Sequence, residues 1–395
     1  MKTNTKMWKK VAAVDLLLLC FSLTVSLTGQ MFRAIKQTYS LSLTQGSLLL
    51  SIQSIGGIIF SVICILIIDA FNRAKTLIIM GFALCGLMIA IGAIPPLFAL
   101  FAMFAVLGFS GAAVNTLTNA VLIETVPDKT GRHISILHFM FSLGALTAPI
   151  ASQALFTAFG LSAVFLFFGG FAFCCTVYAA AAFSDRMRQK LMSGSLSLKR
   201  RMKETWAVIK IPGMKQVFLI AVFVCAWQLS AIYFISSYFT EISSQPMDGA
   251  FALSLLFLGM MLSRLVYARI ADRFSQGRVL MLTNIAGLLA WVCIFLVPGI
   301  SEKMIFLGLA AVLCGNNTPI MYVIACMTAP KNAAAASGIA TLGYYIALLT
   351  FLPFIGSLGD AFGLENVLIF CAAPLLLAIP AAYAFHRKVY ANKYN

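Results

Sequence analysis

The feature that most restricts this chain is the recurrence of apolar stretches, broken only by short polar segments, from Val11 to Ala384. A helix needs about 20 such residues to cross a hydrocarbon core. Lipid offers no partner for free backbone amides, so each crossing must be helical or belong to a closed barrel. Runs such as Thr76 to Ile94 lack the apolar-polar alternation of a barrel strand. The chain therefore reads as an all-α membrane protein. Composition agrees, because 10% of its 395 residues are charged, against roughly a quarter in a soluble domain.

Helices are expected near 11–32, 44–67, 76–94, 98–122, 133–157, 161–183, 214–240, 250–268, 279–297, 303–327, 334–358 and 363–385, twelve transmembrane spans in all. The basic amino terminus, Met1 to Lys10, resembles the start of a signal peptide. The stretch behind it is long enough to span and lacks a small-x-small cleavage site, so it is read as the first span. The ten cysteines lie mostly within apolar runs and form no C-x-x-C pair, so they read as small core residues.

A formal charge of +16 raises nucleic acid as a partner, and the placement of the cations argues against it. They collect in alternate loops: Arg73 and Lys75, Lys129 and Arg132, the run between spans six and seven, Arg273 and Arg278, and Lys331, with both tails basic. The opposite loops hold little beyond Arg33, Lys36 and Lys303. Under the positive-inside rule both termini are cytoplasmic, and the charge is a topology signal.

The longest polar stretch, Ser184 to Lys215, divides the spans six and six. The expected organisation is an amino-terminal six-helix bundle over 1–183, a basic cytoplasmic linker over 184–213 and a carboxy-terminal bundle over 214–395. The segment Leu198 to Ile211 is basic and amphipathic, suited to the anionic cytoplasmic leaflet. An internal repeat supports the division: Ile68-Asp69-Ala70-Phe71-Asn72-Arg73-Ala74-Lys75 follows the second span, and Ala271-Asp272-Arg273-Phe274-Ser275-Gln276-Gly277-Arg278 the eighth. Parallel repeats of this kind are a transporter architecture, with pseudo-two-fold halves and a solute site near the midplane.

Those two loops resemble the signature of the major facilitator superfamily, a Gly-x-x-x-Asp-Arg-x-Gly-Arg type motif after the second helix of each half. The second copy is good, and the first has Asn72 where glycine is usual. Pro127 to Arg132, Ala336-Ser337-Gly338, Pro353, Gly356, Asp360 and Gly363 stand at further matching places. The resemblance implies gating roles for Asp69, Arg73, Asp272, Arg273 and Arg278, the bland alternative being helix-end capping.

Within the superfamily the chain is most similar to the fucose-galactose-glucose proton symporters. Ser26 to Ser51, Gly111 to Asn119, Leu137 to Ala145 and Asn317 to Tyr322 carry that similarity. Fucose permeases couple sugar to protons through a helix-one Asp and a helix-four Glu, and here those places hold Gly29 or Gln30 and Asn115. Asn119 matches the family's Asn, and His138 stands where the family has a sugar-contacting Gln. The resemblance implies a monomeric transporter of a bacterial inner membrane.

A polar side chain inside a span is a candidate for function, because it costs free energy unless a cavity or partner receives it. Asn115 and Asn119 are four apart, on one face of a helix, and two amides supply donors and acceptors for hydroxyl groups. An unperturbed histidine side chain titrates near neutral pH, so His138 is a candidate proton carrier. Gln30 completes the first-half set. The second half offers Gln228, Tyr233, Asn316, Asn317, Tyr344 and Tyr345, with Pro319 placed to break a helix. Asp15 is the other candidate proton carrier, and Arg264 reads as a gating or structural cation. For each polar residue the alternative is interhelical hydrogen bonding.

These residues favour a secondary transporter of a small neutral or weakly polar solute, a sugar or sugar-like compound first, with protons as candidate coupling ion. Gly144-Ala145-Leu146-Thr147-Ala148-Pro149 is a weak version of an antiporter element, so proton-driven efflux of apolar or drug-like compounds is the alternative. The chain carries no Walker-type phosphate loop. Three histidines and scattered acids form no catalytic or metal constellation, and neither enzyme activity nor a cofactor is expected.

Overall fold

The computed structural model describes all residues except 1, 68–71, 127–129, 188–202, 204–205, 271–273 and 392–395. The described residues form helices joined by short turns. They are α1 (Lys2–Thr38), α2 (Leu43–Ile67), α3 (Arg73–Gly92), α4 (Leu97–Thr125), α5 (Thr130–Ala182), α6 (Ser184–Met187), α7 (Met214–Ser243), α8 (Pro246–Ile270), α9 (Gln276–Leu296), α10 (Ile300–Cys314), α11 (Asn317–Thr328), α12 (Ala333–Phe362), α13 (Leu364–Val367) and α14 (Ala372–Ala391).

Eleven helical segments among the described residues are long and apolar enough to cross a membrane. One of them, Ile136–Ala182, has 47 residues, and at about 1.5 Å per residue it is twice as long as one crossing needs. Its continuity is interrupted at Gly160, where φ is 78° and ψ 179°. That backbone conformation suits glycine alone, so the chain turns there without a loop. Counted as two crossings, α5 accounts for the fifth and sixth spans and brings the total to twelve.

Three boundaries differ from the sequence expectation. Helix α1 begins well before Val11, because the polar turn Lys2 to Lys10 continues the helix and anchors it: Lys6 and Lys10 both pair with Asp185, at 3.2 and 2.8 Å. The expected span 303–327 is two helices, broken at the Gly315–Asn316 turn, and Pro319 lies in the first turn of α11, where its missing N–H costs nothing. The last span opens with α13 and a 3-10 turn over Leu368–Cys371 before α14.

The sequence repeat has a local structural reason. Asn72 caps α3 by accepting from the Lys75 amide at 3.0 Å, and Ser275 caps α9 by accepting from the Arg278 amide at 3.5 Å. Each is a short oxygen-bearing residue three before the amide it receives, the usual chemistry of a helix start. Asn72 departs from the expected glycine because it serves as this cap.

The chain divides into two compact units: unit 1 is Met1–Tyr39 with Ile52–Leu196, and unit 2 is Ser40–Ser51 with Ser197–Asn395. In unit 1, α1 lies chiefly against α5, with α3 and α4 beside them. In unit 2, α7 is the central element, flanked by α8, α11, α12 and α14, and Trp227, Tyr233 and Phe234 on it are almost fully buried.

Candidate functional site

Unit 1 places its polar groups along the seam of α1 with α5 and on α4. Helices α1 and α5 run parallel in near-constant register: Trp8 meets His133 at 5.4 Å between ring centroids, Ser26 Oγ donates to the Ala145 carbonyl at 2.8 Å, and Gln30 Nε2 donates to Gln153 Oε1 at 3.0 Å. That register sets Asp15 level with His138. Asp15 is 8% exposed, and its Oδ1 makes no hydrogen bond among the described residues. His138 is exposed on α5.

On α4, Asn119 Nδ2 donates to the Asn115 carbonyl at 2.8 Å, so the two amides share one face as their spacing demands. Both are half-buried. The Asn115 side-chain amide makes no hydrogen bond among the described residues and keeps donor and acceptor for another molecule. Gln30, in contrast, is buried and engaged with Gln153, which ties α1 to α5.

Unit 2 builds its polar patch from α7, α11 and α12. Thr318 Oγ1 donates to Gln228 Oε1. Tyr322 and Thr341 share a hydroxyl-hydroxyl hydrogen bond at 3.2 Å. Tyr344 and Tyr345 stand edge to face, with centroids 5.1 Å apart. Gln228, Thr318, Tyr322, Thr341 and Tyr344 are all half-buried, whereas Tyr233 is 2% exposed and Tyr345 9%. The patch is neutral, rich in hydroxyls and lined by aromatic faces. Such a surface suits a solute with both hydroxyl groups and apolar ring faces.

Asn316 and Asn317 hold the break between α10 and α11. Asn316 Nδ2 donates to the Ser263 carbonyl at 2.6 Å, and Asn317 Nδ2 donates to Asn284 Oδ1 at 2.7 Å. Asn317 and Asn284 are both fully buried. These amides fasten the broken helix to α8 and α9 and present its next residue, Thr318, to Gln228. Sequence reading missed Asn284, Thr318, Tyr322 and Thr341. Asn284 carried a signal, as a lone amide in an apolar run; the other three did not stand out from ordinary span hydroxyls. It also took Lys303 for a loop cation, whereas Lys303 is 8% exposed in the first turn of α10, donating to the Ile294 carbonyl at 2.9 Å.

The expected gating residues are partly placed. Asp69, Asp272 and Arg273 lie outside the described residues. Arg73 pairs with Glu124 at 2.6 Å, and Arg186 reaches the same carboxylate at 3.8 Å. Arg278 Nε donates to His386 Nε2 at 3.1 Å, and His386 Nδ1 meets Ser275 Oγ at 2.8 Å. Arg264 is half-buried on α8 beside Ser263. Asp185, outside the spans, has its carboxyl held down at about 2, chiefly by the Lys10 hydrogen bond. Among the described residues no group of three or more His, Cys, Asp or Glu is placed to hold a metal ion.

Twelve apolar crossings, a repeated helix cap and neutral polar patches inside the membrane define a multi-pass carrier-type membrane protein. The chain belongs to the Major Facilitator Superfamily, whose model matches residues 14–316 and 218–394. Among solved structures it is similar to a bacterial homologue of the human lysosomal transporter Spinster in an inward-facing, unoccupied conformation, with TM-score 0.82, 14% identity and 98% of each chain covered. It is similar also to the nucleoside transporter NupG, with TM-score 0.77, 12% identity, and 95% of this chain and 99% of that one covered. At such identities the likeness establishes the fold alone. A curated relative, sodium-dependent glucose transporter 1 of Xenopus laevis, is 40% identical over 52 residues, 13% of this chain and 11% of that protein's length. The protein is thus a transporter rather than an enzyme, with a small-molecule substrate and a lipid bilayer around it.

Proposed function

We propose that the protein carries a small neutral, hydroxyl-bearing solute, with sugars and sugar-containing compounds first, by alternating access. The observation that carries this reading is the uncharged hydrogen-bonding patch of unit 2, where Gln228, Thr318, Tyr322 and Thr341 offer donors and acceptors beside the Tyr344 ring. The open amide of Asn115 in unit 1 adds a further donor and acceptor. The short likeness to a glucose transporter and the fold shared with a nucleoside transporter lean the same way. The basic loops support cytoplasmic termini, and a monomer in a bacterial inner membrane is what the family resemblance implies.

Proton coupling centres on Asp15 in this reading. An unpaired carboxylate charge in such surroundings costs several kcal/mol, and a bound proton removes that cost. On α5 the ionisable groups near this level are His133, packed at a tilt against Trp8, and His138; on α4 the acidic group is Glu124, engaged with Arg73. The test is accumulation of solute in proteoliposomes under an inward proton gradient. Gradient-driven accumulation in wild type that becomes simple equilibration in Asp15→Asn supports the assignment. Accumulation that persists in Asp15→Asn and stops in His138→Ala moves the proton to the histidine, and accumulation driven only by sodium sinks proton coupling.

A further inference from the structure

The polar stretch ahead of α7 serves neither patch. Between residues 199 and 215 the sequence holds six cations, Lys199, Arg200, Arg201, Lys203, Lys210 and Lys215, against a single acid, Glu204. Residues 206–209 are helical. Trp206, Ile209 and Lys210 are spaced three and four apart and share one face, and Val208 points the other way. Burial follows that division: Val208 is 0% exposed, whereas Trp206 is 61% exposed and Ile209 45%. Lys210 Nζ stands over the Trp206 ring, 6.0 Å from its centroid, so cation and ring lie together on the outward face. Lys203 is exposed as well.

The chain fixes where this face lies. Gly213, with φ 98° and ψ −23°, directly precedes Met214, the first residue of α7. Glycine adopts that backbone freely, and Pro212 before it lacks the N–H that would continue the segment's own helix. The Ile211 amide donates to the Val208 carbonyl and the Met214 amide to the Ile211 carbonyl, both at 3.0 Å, which closes the turn. Helix α7 has 30 residues, about 45 Å, the thickness of a bilayer with its headgroup layers. The segment therefore leaves the crossing at headgroup level.

We propose that the face carrying Trp206, Ile209, Lys203 and Lys210 docks on anionic lipid headgroups in the leaflet where α7 begins. Tryptophan belongs at this depth, its ring towards the acyl chains and its N–H towards water. Ile209 adds apolar area, and the lysines meet lipid phosphates. The cation excess calls for an acidic surface and the two apolar side chains for a hydrocarbon boundary; an anionic bilayer offers both, and it is the phase into which α7 leads. The docking is independent of which solute the protein carries.

The test uses the full-length protein in nanodiscs of phosphatidylcholine alone and of phosphatidylcholine with phosphatidylglycerol. The emission difference between wild type and Trp206→Phe isolates one of four tryptophans. In the anionic discs that component should be quenched by brominated lipid and spared by aqueous acrylamide, and hydrogen exchange in 206–211 should be about tenfold slower than in phosphatidylcholine. Replacing both lysines, Lys203→Glu with Lys210→Glu, should abolish the dependence on lipid charge with the melting temperature unchanged, and added salt should weaken it in wild type. A segment with only a structural role would exchange alike in both lipids. Equal exchange in the two discs, or quenching by acrylamide and not by brominated lipid, overturns the proposal. Protection that instead follows protein concentration in detergent also overturns it and assigns the face to a second copy of the chain.

Discussion

The two units treat their intramembrane polar groups differently. In unit 1 the hydroxyls and amides bond largely within their own helix: Thr118 to the Val114 carbonyl, Asn119 to that of Asn115, Ser142 to that of His138. Ser26 and Gln30 are the exceptions that reach α5. In unit 2 the amides and part of the hydroxyls reach across helices: Gln228 with Thr318, Asn284 with Asn317, Asn316 with the Ser263 carbonyl, Tyr322 with Thr341, while Ser230 and Thr283 bond within their own helix. The cause lies in the backbone. The break at Gly315–Asn316 takes two residues out of the helical ladder, so their neighbourhood needs partners from α7, α8 and α9. Unit 1, built of unbroken helices around its patch, leaves the Asn115 amide without an internal partner. The difference teaches that unit 2 is preorganised around its own hydrogen bonds, whereas unit 1 leaves an amide that a solute would complete under the proposed function.

Substitutions can break this comparison, and the largest effect is expected where backbones interlock. Gly108→Leu forces a side chain into the Gln53 carbonyl and should destabilise unit 1 by about 3 kcal/mol or more, read as a lowered melting temperature or lost expression in detergent. Next comes the fully buried pair in unit 2. Asn284→Leu strands the Asn317 amide and should cost about 1–3 kcal/mol; because Asn317 also positions Thr318, solute affinity should fall with it. If stability drops while affinity stays put, the helix break is scaffolding only.

A sharper probe separates patch from scaffold. Gln228→Ala should raise KM for the transported solute about tenfold, the worth of one lost hydrogen bond to a polar ligand, with little change in melting temperature. The smallest effect belongs to the loop end of unit 1. The Asp185 carboxyl is depressed to about 2 in the folded protein, chiefly by Lys10, from an ordinary value of 3.8. Its stabilisation is therefore present above about 3.8 and lost as pH falls through about 2. Asp185 is 39% exposed and its charge is screened, although Lys10 is nearly buried, so Asp185→Asn should cost less than about 1 kcal/mol at neutral pH and nothing well below pH 2, measured by melting across that window.

Much of the fold was legible because spans declare themselves by length and apolarity, and the Asn316-Asn317-x-Pro319 run marked the broken helix. The ends of α1 were not legible, since hydropathy sees only the lipid-crossing part and not the turns that Lys6 and Lys10 anchor to Asp185. Gln228 and Asn115 stood out as amides in apolar runs. Thr318, Tyr322 and Thr341 did not, because their meaning comes from pairing across helices. Asp360 was visible as a residue, but its partner, the Leu43 amide, lies more than 300 positions away.

The central claim, that a neutral hydrogen-bonding patch handles a hydroxyl-bearing solute, is tested most directly by uptake of a labelled panel of sugars and nucleosides into proteoliposomes, comparing wild type with Gln228→Ala and Asn115→Ala. The account predicts saturable uptake of at least one neutral polyhydroxylated solute that both substitutions impair. Absence of flux for every such solute, with transport of apolar dyes that neither substitution alters, would contradict it and put efflux in its place.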